Sequence, residues 1–120
     1  IGFGIWEGRS VAEVHETEPL ALGRFWRDPI AYPIPGGEPI VDFDRRISLA
    51  WTTLLEEYRS RHVLLVTHGG VIRMVLRQLL EMPMRRIWRM EAPFASLSRM
   101  RVHRDPESEP HLVFHNGRLA

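Results

Sequence analysis

Apolar positions between residues 43 and 58 recur with a helical period. Phe43, Ile47, Ala50, Trp51, Leu54 and Tyr58 fall at i, i+4, i+7, i+8, i+11 and i+15, which is one stripe of a helix. Glu38-Pro39 opens that stretch, and proline is tolerated in a first turn. The spacing therefore predicts a long amphipathic helix. Val63-Leu64-Leu65-Val66 breaks the period with a continuous apolar run, the pattern of a strand buried on both faces of a parallel sheet. Thr67-His68-Gly69-Gly70 ends it. Ile72, Val75, Leu76 and Leu79 then share one side of a helix predicted from Val71 to Leu80. Met82-Pro83 breaks this helix, and a shorter Arg-rich one is expected from about Met84 to Met90.

Upstream, Gly2, Gly4 and Gly8 surround Trp6 and Glu7, and the pattern predicts an ordered loop. Ser10 with Glu13 three residues on is a capping box, starting a short helix that stops near Pro19. A second short helix is predicted from Pro19 to about Arg27, with Leu22, Phe25 and Trp26 on one face. Residues 28–37 hold three prolines and two glycines, which fix a loop rather than loosen it. Residues 95–103 and 111–115, separated by a polar turn, predict a hairpin. The order is α-α-α-β-α-α-β-β, in one domain over residues 1–120, with no repeat and no linker.

Composition narrows the chemistry. The chain has 120 residues, 44% of them apolar and 26% charged, as in an ordinary globular domain. All 16 basic residues are Arg, against 15 acidic ones. Without Lys there is no Schiff base and no Walker-type lysine. Without Cys there is no disulfide, thiolate zinc site or thiol nucleophile. No apolar run approaches the roughly 20 residues that span a bilayer, and no signal peptide is visible, so a cytoplasmic protein without membrane contact is expected. A net charge of +1 gives no whole-chain argument for nucleic acid.

The sharpest chemical signal is residues 63–73, VLLVTHGGVIR. A strand ends in His68, and Gly69 and Gly70 turn the chain into a helix. Ligands of open α/β sheets bind beyond the carboxyl ends of strands, and a helix start offers free N–H groups to an anion. His68 there suits phosphate, as a donor to a phosphoryl oxygen. The competing reading is a plain strand-to-helix turn with a structural histidine. Arg73 in the first helical turn opposes the helix dipole, which calls for a nearby anion or, alternatively, a surface salt bridge. A metal is not expected: His62 lies about 20 Å from His68 along a strand, and no zinc-binding spacing occurs. His111 and His115 flank an edge strand and read as solvated. Trp6, beside the glycines, could line a pocket, whereas the other tryptophans read as core. Six arginines from Arg85 to Arg104 allow an RNA-binding face, but a solvated surface fits them better, since no stacking aromatics accompany them.

Several of these elements together resemble a known family. FGIWEG (3–8), Pro-Gly-Gly-Glu (35–38), Phe43 with Arg46, and VTHGGVIR (66–73) occur in this order in the histidine phosphatase superfamily, relatives of cofactor-dependent phosphoglycerate mutase. Residues 24–29 (RFWRDP) and 112–117 (LVFHNG) look most like its α-ribazole-5′-phosphate phosphatase branch, which acts in cobalamin synthesis. The resemblance covers nearly the whole chain. It implies a three-layer αβα fold and hydrolysis of a small phosphomonoester through a phosphohistidine, without metal or cofactor. In that chemistry the histidine of an Arg-His-Gly motif attacks phosphorus and a Glu protonates the leaving oxygen. Two Arg and a second His hold the phosphoryl oxygens. His68 matches the second His, and Gly69 the position whose N–H faces phosphate. Gly70, Arg73 and Trp6 are candidates for the surroundings.

The sequence also departs from the family. It holds no Arg-His-Gly motif, and the family's acid Glu would fall immediately before Ile1. Glu7 reads as structural, and Pro39 stands where relatives often carry Ser. The resemblance therefore implies the C-terminal part of such an enzyme, with the central first strand absent, the His68 strand unpaired on one side, and no turnover by this chain alone. The alternative is a non-catalytic relative that binds a phosphorylated ligand or a partner. The oligomeric state is left open.

Overall fold

The computed structural model describes residues 1–105 and 107–118. They divide into two compact units, Ile1–Arg45 and Arg46–Ala120, each described on its own below. One helix, α3 (Ile40–Glu57), runs through the boundary.

The first unit is built on two short helices and two clasped loops. Ser10 caps α1 (Val11–Thr17), its hydroxyl accepting the N–H of Glu13 at 3.2 Å, as the capping box predicts. Pro19 opens α2 (Pro19–Arg27), where its missing N–H costs nothing. The glycine-rich start forms a single 3₁₀ turn, Gly4–Trp6, rather than a plain loop. It is pinned to the proline-rich loop: Ile5 N–H donates to Pro35 at 3.1 Å, and Glu38 N–H donates to Gly2 at 2.8 Å. Gly4 is obligatory there. Its φ is +53°, and a Cβ would stand 2.3 Å from both Gly37 N and Pro35 O.

Trp6 is buried and meets Phe25 edge-on at 5.9 Å. Its indole N–H donates to Glu18 at 2.9 Å, and Arg9 joins the same carboxylate. Leu22 and Phe25 are buried as expected, but Trp26 is 42% exposed. The buried arc of α2 is narrower than its apolar stripe, and Trp26 lies about 100° of helix rotation beyond Phe25.

The second unit centres on α4 (Gly69–Leu80) and the 3₁₀ helix Met84–Arg89. Met74, Val75 and Leu76 of α4 and Met84 and Ile87 of the 3₁₀ helix are buried. The hairpin forms as read: β1 (Leu97–Arg101) pairs antiparallel with β2 (His111–Gly117), with Met100 opposite Leu112 and an irregularity around Arg99.

The long helix keeps its predicted position, but its stripe is only half used. Ile40, Phe43 and Ile47 are buried, Trp51 and Leu54 half-buried, and Tyr58 exposed.

One expectation is corrected outright. Residues 62–68 belong to no helix or sheet. Among the described residues, Val63–Thr67 make no backbone hydrogen bond, so both edges of the expected strand are open rather than one. Leu64 is 78% and Val66 87% exposed. The run has the composition of a buried strand, but among the described residues no strand pairs with it to complete a ladder. The architecture is mixed α/β, as expected, with helices and a small antiparallel sheet among the described residues.

Candidate functional site

The open segment delivers Thr67 and His68 to the start of α4. His68 is the N-cap, with extended backbone (φ −105°, ψ 161°). Its carbonyl accepts from Val71 and Ile72 N–H, both at 3.1 Å, which closes the first turn. Its side chain caps nothing and stands exposed. Among the described residues, the N–H groups of Gly69 and Gly70 have no acceptor. These are the donors a helix start always leaves over, and they carry the positive end of the macrodipole. An exposed imidazole and two free N–H groups therefore share one turn.

Side-chain room decides why glycine stands at 69. A Cβ on Gly69 would come 3.1 Å from the carbonyl oxygen and 3.3 Å from the Cβ of Ala92. The loop after the 3₁₀ helix is packed hard against the turn, and glycine lets it approach.

Arg73 secures that loop. Its Nε–H donates to the Met90 carbonyl at 2.9 Å, and its guanidinium sits 5.5 Å above the Trp88 ring. Burial pushes its pKa below the ordinary guanidinium value. Among the described residues Arg73 forms no ion pair, so the surface salt bridge weighed from sequence is replaced by a carbonyl and an aromatic face. His68, Gly69, Gly70 and Arg73 are thus gathered at one helix end. Trp6 belongs to the first unit, where its ring is buried and its N–H is engaged.

Three other histidines make contacts of their own. His115 is half-buried, not solvated. Its Nε2–H donates to the Glu91 carbonyl, which leaves Nδ1 to accept from the Ser98 hydroxyl at 2.7 Å. His103 and His111 meet at 2.9 Å across the hairpin. Sequence reading missed both contacts, because they depend on register rather than on composition. Among the described residues, no three His, Asp or Glu side chains converge on a point that could hold a metal. Arg85, Arg89, Arg99, Arg101 and Arg104 are exposed.

A histidine at a glycine-bearing helix start is an arrangement that α/β proteins use for anions. Residues 1–115 match the family model described as "Histidine phosphatase superfamily (branch 1)", and the chain belongs to that superfamily. Among curated proteins it is 34% identical over 117 residues to the "Bifunctional protein Rv2228c" of Mycobacterium tuberculosis, covering 98% of this chain and 32% of that protein. It is 30% identical over 95 residues to an "Acid phosphatase" of the same species, covering 79% and 44%. It is 30% identical over 102 residues to "Phosphoserine phosphatase 1" of Hydrogenobacter thermophilus, covering 82% and 46%. The chain thus spans 32% to 46% of these relatives' lengths. The solved structure of Bacillus stearothermophilus YhfR superposes with a TM-score of 0.79 at 25% identity, over all of this chain and 58% of that one.

Proposed function

We propose that this chain supplies the phosphate-holding half of a phosphomonoesterase site. The observation that carries the reading is the His68–Gly69–Gly70 turn, where an exposed imidazole and two free N–H groups stand together at the start of α4. Such donors stabilise charge on a transferring phosphoryl group without reorganising during the reaction. His68 donates to one phosphoryl oxygen and the Gly69 N–H to another, while Arg73 holds the Ala92 loop against the turn.

The nucleophile is assigned to the part of the domain that this chain does not span, because no Arg-His-Gly motif occurs in it. In the full reaction a histidine nitrogen there bonds to phosphorus as the ester oxygen leaves with a proton from an acid. Water then cleaves the N–P bond and releases orthophosphate. The acid phosphatase and phosphoserine phosphatase relatives support phosphomonoester chemistry. Within that class, residues 24–29 and 112–117 favour α-ribazole-5′-phosphate as the substrate.

Orthophosphate titrated into the 120-residue chain tests the first claim by calorimetry. Saturable binding lost in His68→Ala is expected, and equal binding by both would overturn the assignment. The same chain should leave 4-nitrophenyl phosphate intact, and turnover abolished by His68→Ala would overturn the proposed division of labour. α-Ribazole-5′-phosphate should displace bound orthophosphate better than phosphoserine does, and equal displacement would refute the finer assignment.

A further inference from the structure

One pair of side chains outside the phosphate turn carries chemistry of its own. His103 and His111 meet at the turn end of the hairpin, with Nε2 of His103 2.9 Å from Nδ1 of His111. The ring centroids are 5.0 Å apart, and the rings stand nearly perpendicular, at 87°. Both side chains are exposed. They lie eight residues apart in sequence. Pairing of β1 with β2 brings them together, with Met100 opposite Leu112 and Arg101 opposite His111.

Three observations distinguish this pair from an ordinary surface hydrogen bond. First, the rings have only each other. Among the described residues neither joins an ion pair, and neither hydrogen-bonds to any other group. Second, the span is that of a chelate. Metal–imidazole bonds of about 2.0–2.1 Å, drawn to nitrogens this far apart, meet at about 90°. That is the angle between neighbouring positions of a square-planar or tetragonal site, whereas a tetrahedral ion needs nitrogens about 3.3–3.4 Å apart. Third, the ladder already fixes the backbone beside both residues, so an ion has little chain entropy to remove.

We infer that His103 and His111 form a two-imidazole site for a divalent first-row cation of tetragonal preference, Cu(II) foremost. Imidazole suits copper and nickel, and copper heads the affinity order for such ligands. The lone pairs of His103 Nε2 and His111 Nδ1 form the two metal–nitrogen bonds. In the free chain one of these nitrogens carries the proton of the hydrogen bond. That proton passes through water to the other nitrogen of the same ring, so a neutral pair binds without net proton release. Each ring turns about its Cβ–Cγ bond, a broad torsion in histidine, to aim both lone pairs at a common point. Water completes the coordination, since among the described residues no third His, Asp or Glu converges there.

The local charge permits a dication. Arg101, opposite His111, and Arg104 are offset by Asp105, Glu107 and Glu109 in the connecting residues. Asp105 is itself turned to the Glu107 N–H, 3.0 Å away. Spacing along the chain gives no sign of the site, because strand register makes it. The inference does not rest on the phosphate turn, which is built from other residues.

Cu(II) alone, titrated into the 120-residue chain in a non-coordinating buffer, tests the site. One ion per chain should bind, with the electron paramagnetic resonance signature of two equatorial imidazole nitrogens. His103→Ala and His111→Ala should each lower the affinity by about tenfold or more, since losing a ligand costs at least what losing a ligand's support does. His103→Gln keeps a hydrogen-bonding side chain beside His111 without a second imidazole. It should keep the hairpin and lose copper as His103→Ala does. His15→Ala and His62→Ala should leave the affinity unchanged. Broadening of amide resonances by the bound ion should centre on residues 101–104 and 111–112. Because the ion ties the turn ends of β1 and β2, saturating Cu(II) should raise the melting temperature of the parent chain and not of the His103 or His111 variants. Equal affinity in the parent and these variants would overturn the site. So would a one-nitrogen spectrum, loss in only one of the two alanine variants, or broadening centred on another histidine or on the amino terminus.

Discussion

At the scale of single residues, the candidate site was legible because its chemistry is local. His68 followed by two glycines at the end of an apolar run marks a helix start without knowledge of distant contacts, and the backbone of α4 begins there. Residues whose role depends on a distant approach were not legible. Nothing in the first nine residues shows that Gly4 lies against the backbone of Pro35–Gly37, whereas a methyl group added at Gly8, with φ +74°, would meet nothing within 4 Å. The two glycines should therefore respond differently to alanine. Gly8→Ala should cost about 1–2 kcal/mol for the left-handed backbone alone. Gly4→Ala adds a main-chain clash and should cost clearly more, or unfold the first unit. Urea denaturation followed by tryptophan fluorescence distinguishes the two, and equal midpoints would contradict the packing described for Gly4.

At the scale of elements, helices with their own signals were found where the pattern placed them. Ser10 capping α1, Pro19 opening α2 and the 3.6-residue stripe of α3 are all written locally. The strand at 63–66 was not found as a strand, because a strand is made by its neighbours and a helix is not. Trp26 shows the same limit in miniature, since the stripe of α2 does not say which arc meets the core. The tie between α4 and the residues after it is equally invisible in sequence. Arg73 makes it through one carbonyl bond and one aromatic face. Arg73→Ala should cost about 2–4 kcal/mol, the sum expected for a charged hydrogen bond and a cation–π contact. Arg73→Lys should not restore it, because an ammonium cannot both reach the Met90 carbonyl and lie flat over Trp88. Thermal melts of the two variants decide this, and full rescue by lysine would contradict the stated geometry.

At the scale of the whole molecule, the family membership and the open segment of the second unit are read together. The chain carries the turn proposed to hold phosphate, a segment with the composition of a buried strand, and a sheet edge unpaired among the described residues. Sequence reading anticipated one unpaired side on the His68 strand. The structure shows two open edges, because neither flanking strand is supplied by residues 1–105 or 107–118. The central claim is that the His68–Gly69–Gly70 turn is where phosphate sits. Its most direct test is an amide-resolved NMR titration of the 120-residue chain with orthophosphate. Saturable shifts confined to Gly69, Gly70 and their neighbours, absent in His68→Ala, are the predicted result. Shifts spread over the exposed arginines between Arg85 and Arg104, and unchanged by His68→Ala, would contradict it.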